Sequence, residues 1–76
     1  MKEFLNYILS KIVDHPNDLT IEEKQLSENF YQYLITANSE DVGKIIGKEG
    51  KIIHAVRNIV KIQAVKENKQ IRIEIA

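Results

Sequence analysis

Val42-Gly43-Lys44-Ile45-Ile46-Gly47-Lys48-Glu49-Gly50-Lys51-Ile52-Ile53 is the stretch that decides how this chain folds. Two glycines, Gly47 and Gly50, flank two charged residues, with Ile45-Ile46 on one side and Ile52-Ile53 on the other. Glycine closes helices and permits tight turns, so the plainest reading is helix, turn, helix. The charges add to it. The turn feeds the N-terminus of a helix, where free N–H groups and the positive dipole end attract an anion. Lys48 and Lys51 stand at that same end, against the preference of the helix itself. Cations so placed imply a negative partner such as a phosphate. Residues without Cβ let a sugar–phosphate backbone come close. Glu49 works against an anion and is expected to face solvent. The spacing excludes a mononucleotide P-loop, which needs four residues between its glycines and Ser or Thr after the lysine. It also excludes a dinucleotide fingerprint, because no strand runs directly into it.

The flanks fall into place around this turn. Ser39 with Glu40 and Asp41 reads as an N-cap followed by acids in the first turn of a short helix, 40–46. A long helix, 51–67, follows the turn. Beyond Asn68-Lys69-Gln70, the strict alternation of Ile71-Arg72-Ile73-Glu74-Ile75 predicts a strand with Arg72 and Glu74 on its solvent face. Upstream, residues 30–37 are aromatic and β-branched, with Tyr31, Tyr33 and Ile35 expected on the core side. Residues 18–25 form the other arm of an antiparallel hairpin. Phe4, Leu5, Ile8, Leu9, Ile12 and Val13 make one stripe of an amphipathic helix over 2–13, which Asp14-His15-Pro16 ends. The order is α-β-β-α-α-β. The predicted class is α+β, a single domain over 1–76 whose three-stranded sheet carries its helices on one face.

Composition narrows the classes. At 76 residues there is one core and no room for a second. There are no cysteines, so disulfides and thiolate metal sites are excluded, which fits a reducing, cytoplasmic setting. No apolar run approaches the ~18 residues of a membrane span, and polar residues break every apolar pair at the N-terminus, unlike a signal peptide. The net charge is zero, but it is divided. Residues 1–41 hold three lysines against eight acids, net −5; residues 42–76 hold eight basic residues against three acids, net +5. Such a split is consistent with a polyanion-binding face, or with two solvated faces that aid association.

Ile46-Gly47-Lys48-Glu49-Gly50-Lys51-Ile52-Ile53 resembles the Ile-Gly-x-x-Gly-x-x-Ile signature of the KH domain, a module for RNA and single-stranded DNA. The element order matches the bacterial type II version. The segments 13–16 and 40–50 are similar to the small single-KH proteins of bacteria, the KhpA/YlqC family, and the likeness covers the whole chain. It implies a groove for about four unpaired nucleotides of single-stranded RNA, clamped by the GxxG loop. Gly47, Lys48, Glu49 and Gly50 would hold the backbone. Lys44 and Lys51 would add charge, and Ile45, Ile46, Ile52 and Ile53 would lie at or beside the groove. It also implies post-transcriptional regulation or RNA chaperoning linked to cell elongation and division. Self-association is implied too, as is pairing with a larger KH-containing (KhpB/Jag-like) RNA-binding protein. No aromatic residue lies in 42–76, so no stacking platform is expected from this half and affinity should be modest.

The long helix is apolar over too wide an arc. Ile52, Ile53, Val56, Ile59 and Val60 cover one side, and Ala55, Ile62 and Val65 extend it to on the order of 240°, where one stripe needs ~100°. The N-terminal helix or a second copy of the chain could cover Ile62 and Val65; the latter makes them candidate dimer contacts. His15 and His54 stand apart with no ligand-spaced partner, so no metal is expected. No nucleophile or acid pair has a catalytic setting, so no enzyme and no cofactor is expected. Tyr7, Tyr31 and Tyr33 read as core and sheet residues. The two functions left are RNA binding through the GxxG groove, or a protein-interaction module with little RNA contact of its own.

Overall fold

The computed structural model describes residues 1–76 and contains every predicted element in the predicted order. Helix α1, Lys2–Ser10, turns Leu5 and Leu9 into the core, both fully buried. It stops three residues short of the predicted end, and a 3₁₀ turn at Pro16–Asp18 follows. Val13 still packs inward from the connecting turn. Tyr7 is not a core residue: it is 62% exposed, with the Lys11 ammonium 5.0 Å from its ring centroid. Its position explains this, since two residues from both Leu5 and Leu9 is about 200° around a helix, the far side.

Strands β1 (Thr20–Ser27) and β2 (Phe30–Thr36) pair antiparallel, with Ile21 opposite Ile35 and Glu23 opposite Tyr33. The third strand, β3 (Gln70–Ile75), pairs parallel to β2, with Tyr33 opposite Ile73, and the order is β1-β2-β3. A parallel pair needs a crossover, which helices α2 (Ser39–Ile46) and α3 (Lys51–Lys66) provide. Tyr33, Ile35 and Ile73 are buried against Leu5, Leu9, Ile45, Val56 and Val60, while Tyr31, Ile71 and Ile75 flank that core. The Tyr33 hydroxyl donates to Glu23 Oε2 at 2.8 Å. Burial first, then Glu23, raises its pKa well above the ordinary phenol value, so it stays a neutral donor. Arg72 and Glu74 are exposed as predicted, 3.9 Å apart.

The N-cap of α2 is Asn38, not Ser39. Asn38 has extended backbone (φ −56°, ψ 141°), and its side chain accepts from the Glu40 N–H at 2.9 Å, which is what a cap must do. Asp41, one turn in, is completely buried and is the only buried charged residue. Its carboxylate accepts the Asp14 N–H at 3.1 Å and the His15 N–H at 2.8 Å. Around it, Asn38 Nδ2 donates to Asp18 Oδ2 at 3.0 Å and His15 Nε2 lies 3.2 Å from Glu40 Oε2. The turn after α1 is thus fastened to the start of α2.

Along α3, Ile53, Val56, Val60 and Ala64 face the core. Ile62 and Val65 are 61% and 64% exposed, so α1 does not cover them. That helix is committed to the core through Leu5 and Leu9 instead.

Asp41→Ala leaves two backbone donors without their acceptor, so it should lower unfolding free energy by about 2–4 kcal/mol. Asp14→Ala, which removes only an exposed pair with Lys44, should cost about 1 kcal/mol or less. Urea denaturation of the two variants checks this difference.

Candidate nucleic-acid interface

Helix α2 ends because Gly47 leaves helical space, at φ 76° and ψ 174°, while its N–H still bonds to Gly43 O at 2.8 Å. Lys48–Gly50 then make one 3₁₀ turn, with Gly50 N–H bonded to Gly47 O at 3.1 Å. Two further residues take positive φ, Glu49 at 57° and Gly50 at 76°. Gly47 is demanded twice. Besides its φ, a Cβ there would meet Ile52 Cγ1 at 2.6 Å and the Ile52 backbone N at 2.9 Å. Gly50 is demanded by φ alone, since a Cβ there meets nothing within 4 Å. Glu49, with a side chain in left-handed space, is held at a strain of about 1 kcal/mol. The first turn of α3 has no side-chain cap and no acidic residue. The Gly50 and Lys51 N–H groups are taken by Gly47 O and Lys48 O within the loop, while the Lys48 and Lys51 side chains are exposed and form no ion pair.

A cleft of about 740 Å³ continues from this loop between α3 and β3. His54, Arg57, Asn58 and Lys61 form its α3 wall, Ile71–Glu74 its β3 wall, and Phe30 also lines it. His54 and Asn58 also line the hollow at Glu49, Gly50 and Lys51, so loop and cleft are one surface. The far wall is a free sheet edge. Gln70 and Ala76 direct their N–H groups to Asn29 and Ile35 of the β2 side. By alternation, the backbone groups of Ile71, Ile73 and Ile75 point away from the sheet. One of them is occupied: Arg57 Nη2 donates to Ile73 O at 3.1 Å. Loop and cleft together carry Lys48, Lys51, Arg57, Lys61 and Arg72 against Glu49 and Glu74, an excess of positive charge.

The family profile described as KhpA/KhpB, KH domain, matches residues 2–75. The chain belongs to this family of KH domains. Among relatives, the RNA-binding protein KhpA of Clostridium perfringens is 41% identical over 75 residues, covering 99% of each chain. KhpA of Chlamydia muridarum is 41% identical over 99% of this chain and 95% of its own. KhpA of Listeria monocytogenes is 36% identical over 99% and 97%. No solved structure matches significantly.

This KhpA/KhpB-type KH domain brings some of the expected site residues together and removes others. Gly47, Lys48, Glu49, Gly50 and Lys51 share the loop. Ile46 and Ile52 are each 37% exposed beside it, so they can meet a ligand. Ile45 and Ile53 cannot, because both are buried in the core. Lys44 is also withdrawn: its ammonium pairs with Asp14 and lies 4.0 Å from Asp41 Oδ1, so its charge is already compensated. The cleft walls were missed as a site. His54, Arg57 and Lys61 were visible as a polar strip on the long helix, spaced i, i+3, i+7. Nothing in the sequence set Arg72 or Phe30 beside that strip.

Gly47→Ala should disturb the loop and lower the melting temperature more than Gly50→Ala, whose cost of about 1 kcal/mol is backbone strain only. Thermal melts followed by circular dichroism give the comparison.

Proposed function

We propose that this KH domain binds single-stranded RNA along the cleft between α3 and β3, with phosphates held at the Gly47–Gly50 loop, and that it performs no chemistry. The observation that carries this is continuity: an uncapped helix N-terminus with two unpaired lysines opens into a cationic cleft walled by a free strand edge. The loop offers the Lys48 and Lys51 ammonium groups to phosphate at the positive end of the α3 dipole. The half-exposed Ile46 and Ile52 offer apolar contact to bases, and the strand edge offers hydrogen bonds to base edges. The relatives' name, RNA-binding protein KhpA, supports the same ligand. We read its role as an RNA chaperone or post-transcriptional regulator in the cytoplasm, tied to cell elongation and division.

A second reading rests on a separate observation. Ile62 and Val65 stand exposed on α3, and together with Asn58, Lys61 and Lys66 they form a shallow surface. We read this face as the contact for a second copy or for a larger KhpB/Jag-like RNA-binding protein. No helix of the chain is long and apolar enough to cross a membrane.

Fluorescence anisotropy with a short unstructured RNA should show binding that weakens with salt, the log–log slope being about −0.7 per phosphate neutralised. The doubly substituted Lys48→Asp, Glu49→Asp variant should lose on the order of tenfold or more. Glu49→Gln should tighten binding by removing a carboxylate from the phosphate site. Salt-independent binding unaffected by the double substitution would reject the groove as the site. For the second reading, sedimentation at tens of micromolar should give a dimer mass that Ile62→Glu reduces to a monomer.

A further inference from the structure

The cleft has a second end, and its chemistry differs from that of the loop. Phe30 opens β2 and faces Gln70 in the parallel ladder, so it stands by the far end of α3 rather than by the glycine turn. Its ring is only partly buried, and it lines both the main cleft and the smaller hollow formed with Lys61, Val65, Lys69 and Ile71. The Arg72 guanidinium lies 6.0 Å from the ring centroid, and Arg72 is an exposed residue. An aromatic face with a guanidinium beside it, opening on a cationic cleft, is suited to a nucleobase: the ring stacks on the base and the cation meets the adjoining phosphate. From Lys51 to Lys61 the α3 wall runs about 15 Å, at 1.5 Å per residue. That length accommodates about four stacked nucleotides at ~3.4 Å each.

We propose that Phe30 and Arg72 form a base-stacking terminus for the cleft. The bound strand is then held by its phosphates at the Gly47–Gly50 loop and by a base face at Phe30. This rests on the reading of the cleft as an RNA site and adds a determinant from the acidic half of the chain. It also removes the reason for expecting modest affinity, since a stacking ring does reach the groove. Phe30 fixes which nucleotide stacks but not its identity, because every base has a π-face.

The test is anisotropy with a short unstructured RNA, comparing wild type, Phe30→Leu and Phe30→Trp, with circular dichroism to check folding. The proposal expects Phe30→Leu to bind on the order of tenfold more weakly and Phe30→Trp to bind at least as well as wild type. The chain has no tryptophan, so Phe30→Trp supplies a single indole at the proposed contact, excited at wavelengths where Tyr7, Tyr31 and Tyr33 do not absorb. Its emission should be quenched on saturation with RNA. Binding by Phe30→Leu within about twofold of wild type, or unchanged indole emission from Phe30→Trp at saturation, overturns the proposal while leaving RNA binding intact. Absence of RNA binding by wild type overturns both. If Phe30→Leu fails to fold, the emission of Phe30→Trp decides alone.

Discussion

One buried carboxylate ties the turn after α1 to the helix that leads into the glycine loop. Asp41 has no access to water, and a charge so placed is tolerated only when its oxygens are hydrogen-bonded. Two backbone donors from the turn after α1 supply that, and Lys44 adds a compensating charge at the rim. The consequence reaches further than the turn. Fastening residues 14 and 15 to the first turn of α2 fixes where α2 starts, and with it where α2 must end. The glycine loop, the entry of α3 and the cleft beside it inherit their positions from that anchor. The same constraint accounts for the one basic residue near the loop that is not free, since Lys44 serves the anchor rather than the surface.

The cleft is built from segments that are remote in sequence. The α3 wall and the loop come from consecutive residues, and the opposite wall is β3, which returns beside β2 only because the two helices carry the chain across. The edge left open by that return is partly capped by Arg57. The other edge of the sheet, β1, presents Glu22, Glu23 and Lys24 to solvent, a charge pattern that discourages pairing with foreign strands. The two edges of one small sheet are thus differently equipped, one charged and the other turned toward the cleft.

Local patterns were legible in the sequence wherever one residue's neighbours along the chain decide its place. The alternation at 71–75, the hairpin and the Gly47–Gly50 turn each depend on nearest neighbours, and each is present. The misreadings fall where geometry or distant partners decide. Ser39 and Asn38 are both competent caps, and only backbone direction separates them. Tyr7 is apolar enough for a core but sits on the wrong side of a helix whose register Leu5 and Leu9 set. Ile45 and Ile46 are chemically identical neighbours, one buried and one half-exposed, because α2 turns 100° between them. Lys44 is claimed by an aspartate 30 positions away, and Phe30 is brought to the cleft by pairing with Gln70. No local pattern carries either fact.

That pairing has a kinetic side. Phe30 and Gln70 are 40 positions apart in a chain of 76, so the β2–β3 ladder joins far more distant residues than the β1–β2 hairpin does. Closure of such a loop is entropically unfavourable until the intervening helices have condensed, and non-local pairings of this kind slow folding. The hairpin and the helices are local and can form early. Strand β3, like β1, is an edge held by one neighbour, which favours its detachment in partial unfolding. The cleft therefore exists only in the fully assembled state, and any subglobal opening that releases β3 removes one of its walls while leaving the glycine loop in place.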